Sequence, residues 1–333
     1  MRTVYSSHKR TAYSAGTRYS RHVDELPGGV LRVTMPLPMR PDHVHCYLVP
    51  VEDGYMLVDT GLGLPDAKEV WAAVLGDLDA PVVTTFLTHF HPDHLGAAAD
   101  VQDLTGARTV QGWLDAEQTR LVWENDDWSE ELAVWFHRHG VPGNVTEELI
   151  GQGARYRPFV RPVENPALVD DGELLHGWEL VGAPGHADGQ LTLLRDGVLI
   201  AADHLLARIT PTVGLWPESR PDPLGDYIAA LERTIELAPS VAYGGHGDPI
   251  TDPVGRAHEL IAHHRERLDV TAAALGQEQR TGYEVSYPLF GDDLPPHVRR
   301  FAVAETLSHL ERLVRDGRAE RHDDVASVSY TAP

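Results

Sequence analysis

The sequence predicts an α/β fold in two unequal parts: a large α/β domain over residues 30–252 and a small, mostly helical domain over residues 253–333 that ends in a wing. Short apolar runs of strand length alternate with amphipathic helical stretches through the first part. Polar residues of ligand type collect where those strands end, which is where α/β sheets place their sites. Past the punctuation at Pro249 and Pro253 the pattern becomes helical.

Residues 1–29 read as an N-terminal tail, basic to Arg21 and without the apolar core of a secretory signal. Val30–Thr34, Cys46–Val49 and Tyr55–Val58 then read as a β-meander, with Glu52-Asp53-Gly54 as a turn. Asp66–Leu75 has amphipathic helical spacing, and Pro81–Leu87 is a buried strand of Val, Thr and Phe. That strand runs into THFHPDHLGAAADVQDLTGA, whose second half is helical, and Val110–Gly112 follows as a short strand. From Ala116 to Gly153 the patterning is helical, with Trp123, Trp128 and Trp135 expected mainly as packing residues. Strands resume at Glu179–Gly182, Gln190–Leu194 and Val198–Ala201, followed by a helix at Pro223–Leu237 and a strand at Val241–Gly244. Helices are expected at Arg256–Leu275 and Pro296–Asp316, and a hairpin at Ala319–Tyr330 around Asp323-Asp324.

Composition narrows the functional classes. With 28 basic and 50 acidic side chains the net charge is −22, a field that repels nucleic acid and anionic membranes. No apolar run is long enough to cross a bilayer, so the expected setting is cytoplasmic and without membrane attachment. Cys46 is the single cysteine, which excludes an internal disulfide and leaves His, Asp and Glu to build any metal site. Within its strand Cys46 reads as a small core residue.

The chemistry concentrates in Thr88-His89-Phe90-His91-Pro92-Asp93-His94. At the extended end of a strand, His89 and His91 are two residues apart and point to the same side, so one metal can take both. Asp93 and His94 fall where the chain turns into a helix, aimed at a second position close by. This concentration of imidazole and carboxylate suits zinc. Three later positions complete it: His186 in Gly185-His186-Ala187-Asp188-Gly189, Asp203 in Ala201-Ala202-Asp203, and His246 in Gly244-Gly245-His246-Gly247. Each sits by a strand end beside small residues.

These residues, with Asp59 in Val58-Asp59-Thr60-Gly61, resemble the metallo-β-lactamase superfamily over roughly residues 30–252. The resemblance implies an αββα sandwich. It implies one metal on His89, His91 and His186, a second on Asp93, His94 and His246, and Asp203 bridging them. Asp59 would orient a ligand histidine. Two zinc ions are the implied cofactors, with iron or manganese as alternatives. A hydroxide held between the metals would attack the substrate, and Asp93 would act as the catalytic proton shuttle. His204, next to Asp203, could contact substrate, though packing explains it as well. True β-lactamases of this fold commonly have a cysteine where Asp203 stands, and flavodiiron proteins have glutamate where His91 stands. Single-iron persulfide dioxygenases are also similar, but the presence of both His94 and His246 favours two metals.

The segment AETLSHLERLVRDGRAERH with its strand pair resembles the winged-helix tail of a subgroup of these hydrolases. Ala304, Leu307, Leu310, Leu313 and Val314 would be its buried face. It lacks a basic stripe and reads as a packing or dimerising module, with a homodimer as the expected assembly. The implied function is hydrolysis of a carboxylic ester, thioester or lactone of a small acyl substrate. The alternative is a phosphodiesterase or ribonuclease on the same centre. A non-catalytic binding module would be expected to show a damaged ligand set, and all seven positions are intact.

Overall fold

The computed structural model describes residues 23–325 and 327–333; the first 22 residues of the expected tail lie outside the described residues. Among the described residues, one sheet runs in the order β1 (Val23–Leu26), β2 (Val30–Pro36), β3 (His43–Val51), β4 (Gly54–Val58), β5 (Val82–Leu87), β6 (Arg108–Gly112) and β7 (Ala167–Val169). The meander β1–β4 is antiparallel, and β4 to β7 are parallel. The second sheet comprises β8 (Leu174–Leu175), β9 (Trp178–Gly182), β10 (Leu191–Arg195), β11 (Val198–Ala202) and β12 (Val241–Gly244), in spatial order β12-β11-β10-β9-β8. Its β11–β12 pair is parallel.

The two sheets face each other because alternate residues of each strand point to opposite sides. Tyr47 and Val49 of β3 meet Trp178, Leu180, Leu193, Ile200 and Tyr243 of the second sheet. Cys46 and Leu48, the residues between, face the other way onto Trp71 and Val74 of α1 (Ala67–Gly76) and Val101 of α3 (Ala98–Thr105), which follows the short α2 (Pro92–Leu95). Cys46 is buried and free, as its strand position implies. The expected αββα layering is therefore present.

On the outer side of the second sheet, Leu199, Ala201 and Ala242 pack under α7 (Pro223–Leu237) and α8 (Pro253–Ala273). Both helices start from an Asp-Pro-x-Gly sequence: Asp222 and Asp252 accept from the amides of Gly225 and Gly255, with Pro at the first helical position. The same apolar cluster takes in the insertion helices α5 (Trp128–Arg138) and α6 (Gly143–Ala154), which follow α4 (Trp113–Thr119). It also includes α9 (Gly282–Phe290) and α10 (Pro296–Arg315). A small sheet of β13 (Arg280–Thr281), β15 (Val328–Thr331) and β14 (Glu320–Asp323) closes the chain. The core is thus continuous across residue 253.

Some elements differ from expectation. The last residues assigned to the tail form β1, which pairs with β2 in register Val23↔Val33. The strands β7, β8 and β13 and the helix α9 carry too few periodic residues to show a pattern. Ala304, Leu307, Leu310 and Leu313 are fully buried, as the helical spacing predicts, whereas Val314 is half-buried against the same cluster. No helix among the described residues is long and apolar enough to cross a membrane.

Candidate metal centre

The ligand-type residues meet at one edge of the sandwich, each carried by a strand end. Asp59 follows β4, with φ at 60°. His89 and His91 extend beyond β5, and Pro92 at the first position of α2 ends that extension and swings Asp93 and His94 into the helix. His186 lies in the β9–β10 connection, Asp203 directly after β11, and His246 after β12. In space the side chains form overlapping groups: His89, His91 and His186; His89, His94 and Asp203; Asp93, His94 and His246, with ligand atoms within 4.8 Å in each. All seven predicted positions are brought together.

The hydrogen bonds behind these histidines determine which nitrogen faces inward. His94 Nδ1 donates to Asp59 Oδ2 at 2.7 Å, His186 Nδ1 to the Thr212 carbonyl at 2.8 Å, and His246 Nδ1 to the His43 carbonyl at 2.7 Å. Thr88 Oγ1 donates to Asp59 Oδ2 at 2.8 Å, leaving its lone pair to accept from His89 Nδ1 at 3.0 Å. Four rings therefore turn Nε2 toward a common centre. His91 instead turns Nδ1 inward, 2.8 Å from His186 Nε2. His186 Nε2 is an acceptor because its Nδ1 donates to Thr212, so His91 Nδ1 either donates a proton to it or, with that proton on Nε2, shares a cation with it.

Asp203 occupies the middle. Its Oδ2 is 3.5 Å from His186 Nε2 and 3.3 Å from His246 Nε2, and its Oδ1 is 3.5 Å from His94 Nε2. Asp93 Oδ2 lies 3.5 Å from His246 Nε2 and 3.9 Å from His94 Nε2. Burial disfavours charge on the rings, pushing His89 and His91 well below the usual histidine range. Burial opposes charge on His246 too, but Asp203 outweighs it and raises the pKa to about 9. His94 is raised likewise, against burial, by Asp203, Asp59 and Asp93.

A divalent cation fits this donor set. His89 Nε2, His94 Nε2 and Asp203 Oδ1 are buried with no hydrogen-bond partner, an expensive condition unless another group completes them. Gly245 backs directly on the cluster, where a Cβ would overlap the Asp203 carboxylate and crowd the His94 ring. Nitrogen and carboxylate oxygen without thiolate suit zinc, iron or manganese.

Several supporting residues are silent in the sequence. Asp115 of α4 accepts from the Phe90 amide at 2.9 Å, and Trp123 donates from its indole to the Phe90 carbonyl at 2.8 Å. Together they hold the peptide between His89 and His91. Trp123 is therefore a motif anchor as well as a packing residue. Asp59 also accepts from the Thr88 amide at 2.8 Å, so it orients His94 directly and His89 through Thr88. His204 points away from the cluster, its Nε2 bonded to Thr234 Oγ1 at 2.8 Å against α7, which supports packing over substrate contact.

The model of the metallo-beta-lactamase superfamily matches residues 39–246, and that of the metallo-beta-lactamase-like C-terminal domain matches residues 268–330. A probable metallo-hydrolase of Bacillus subtilis is 26% identical over 85% of this chain and 92% of its own length. An atrochrysone carboxyl ACP thioesterase of Emericella nidulans is 24% identical over 82% of this chain and 74% of its own length. Among solved structures, a metallo-beta-lactamase family protein of Thermus thermophilus is 34% identical with a TM-score of 0.79. It covers 92% of this chain and 99% of its own length. A beta-lactamase domain protein of Burkholderia ambifaria is 26% identical with a TM-score of 0.83, covering 96% and 97% respectively. The motif order, the layered sheets and these matches lead to one assignment: the chain belongs to the metallo-beta-lactamase superfamily.

Proposed function

We propose that this chain is a hydrolase working with two divalent metal ions, zinc foremost, on a carboxylic ester, thioester or lactone of a small acyl substrate. His89, His91 and His186 would hold one ion and Asp93, His94 and His246 the other, with Asp203 shared. The observation that carries the reading is the convergence of four Nε2 atoms and the His91 Nδ1 on a central carboxylate with an unpartnered buried oxygen. When bound, such a pair supplies Lewis acidity that lowers the pKa of water and stabilises negative charge on a carbonyl oxygen.

The chain's own residues do the rest. Asp59, Thr88 and the carbonyls of Thr212 and His43 fix the ring orientations in advance, so no reorganisation is needed when substrate arrives. Asp93 is partly exposed, unlike buried His94 beside it. Its Oδ2 turns toward His246, leaving the other oxygen to accept a proton from the nucleophile and pass it to the leaving group. A thioester is favoured over a phosphodiester by the relative named as an ACP thioesterase and by the net charge of −22.

The test is a hydrolysis screen of thioesters, lactones and phosphodiesters on protein whose metal content has been measured. Near two metal ions per chain are expected, with thioester or lactone turnover that chelation abolishes. Asp203→Ala should lose both metal and turnover. A reproducible single equivalent that resists added zinc defeats the two-metal reading, and turnover of phosphodiesters alone moves the protein to the nuclease class.

A further inference from the structure

We propose that Arg300, carried to the rim of the metal centre by α10, binds a carboxylate or phosphate on the substrate, so that the substrate is an anionic acyl compound. The proposal rests on the hydrolase reading for the reacting end of that compound, though not for the anion contact itself.

Arg299 and Arg300 are neighbours with opposite circumstances. Arg299 is buried and satisfied: it donates to the Ser286 carbonyl at 3.3 Å, to Ser286 Oγ at 3.2 Å and to the Gly291 carbonyl, and lies over the Tyr287 ring. It is structural. Arg300 is half-buried, its Nε has no hydrogen-bond partner, and among the described residues no carboxylate forms an ion pair with it. Its guanidinium carbon sits 5.6 Å from the Trp216 ring centre and 4.8 Å from that of Phe301. A partly desolvated cation held by ring faces alone is expensive to keep, and in a chain of net charge −22 it stands apart from its surroundings.

Its place in the fold gives the cation a use. The loop between β11 and α7 is tied to α10 by a hydrogen bond from the Leu215 amide to the Ala304 carbonyl at 2.9 Å. The same loop offers the Thr212 carbonyl that orients His186. Trp216, at the end of this stretch, stacks on Trp135 of α5 at 6.0 Å and meets Phe301 edge-on at 5.9 Å. An aromatic wall thus runs from the insertion to α10, with Arg300 against it. The guanidinium lies over Trp216 of the loop whose Thr212 carbonyl orients His186, so it sits on the side of α10 that this loop joins to the metal centre. Glu218 nearby forms no ion pair with it: its Oε2 is buried without a partner, and burial favours the neutral carboxyl. A flat wall for an acyl chain and a free planar cation together match an acyl compound bearing an anionic end.

The experiment uses metal-loaded full-length protein and three thioesters of equal length ending in a carboxylate, a phosphate or a methyl group. Wild type should prefer a charged end. Arg300→Gln should lower the charged-to-neutral ratio of kcat/KM by roughly 10- to 100-fold, mostly through KM, the usual worth of a hydrogen bond to a charged group. Arg300→Lys should retain part of the preference. The larger of the carboxylate and phosphate losses identifies the anion. Equal losses on charged and neutral substrates, or an unchanged ratio, overturn the proposal. If wild type cleaves none of the three, the thioester reading falls, and a binding arm decides alone: hexanoate and pentyl phosphate titrated against tryptophan fluorescence. Saturable quenching weakened at least tenfold in Arg300→Gln supports the anion site, whereas no quenching in wild type or equal quenching in both proteins refutes it.

Discussion

Asp59 shows how much a single side chain can organise. It takes a left-handed backbone conformation that a residue with a Cβ adopts only under constraint, and Ala202, beside Asp203, does the same with φ at 44°. At Asp59 the constraint aims both carboxylate oxygens at the motif: the Thr88 amide, the Thr88 hydroxyl and His94 Nδ1 all donate to them. Asp59→Asn keeps the shape but replaces one acceptor by a donor, leaving a buried clash with Thr88 or His94. Metal affinity at the His94 position should fall roughly 10- to 100-fold in a competitive chelator titration. Stability should also drop by about 1–3 kcal/mol in denaturant unfolding. Wild-type affinity in this variant would mean that His94 needs no orienting partner.

At the scale of elements, strand ends set the positions and short helices hold them. α4 matters because Asp115 in its first turn grips the Phe90 amide and receives Gln111 Nε2 at 2.6 Å. Burial raises the Asp115 pKa from 3.8 to about 8, against the lowering effect of those hydrogen bonds. The folded state therefore keeps a proton that the unfolded chain releases near the ordinary carboxylate value. This contribution to stability is full below pH about 4 and is lost as pH rises toward 8, by at most about 1.4 kcal/mol per pH unit. Asp115→Asn mimics the protonated form. Measured by denaturant midpoints from pH 5 to 8, the stability difference between the two proteins should shift steadily in favour of the variant. A difference independent of pH would show that Asp115 titrates alike in both states.

For the whole molecule, the segment beyond residue 252 is part of the structural core. α8 covers the outer face of the second sheet, and Leu307, Leu310 and Leu313 of α10 share one apolar cluster with Leu199, Ala201 and Ala242. Ending the chain at residue 252 removes that cover. Each uncovered large side chain forfeits about 1.5–3 kcal/mol of burial, more in sum than a typical domain's net stability. The truncated protein should aggregate or lose its cooperative transition, as read by light scattering and thermal unfolding. A soluble fragment with a sharp transition would show that the sandwich stands alone. The same continuity explains how α10 can bear on the metal centre through the Leu215–Ala304 bond and the Thr212 carbonyl.

Much of this protein was legible in its residues because the signals are local. Alternation in Cys46–Val49 assigns each side chain to a sheet face, and the HxHxDH run puts four ligand-type groups within six residues. His186, Asp203 and His246 could be named from their strand-end settings once the family pattern was seen, and they do converge. Tertiary structure alone decided which nitrogen each histidine presents, since that depends on partners such as the His43 carbonyl, 203 residues distant from His246. It also decided that Asp115 and Trp123 hold the motif, that His204 turns away, and that Arg300 is free while Arg299 is not. Periodicity records which face of an element is apolar. It carries no record of which distant backbone atom will complete a polar side chain, because that pairing exists only after the chain has packed.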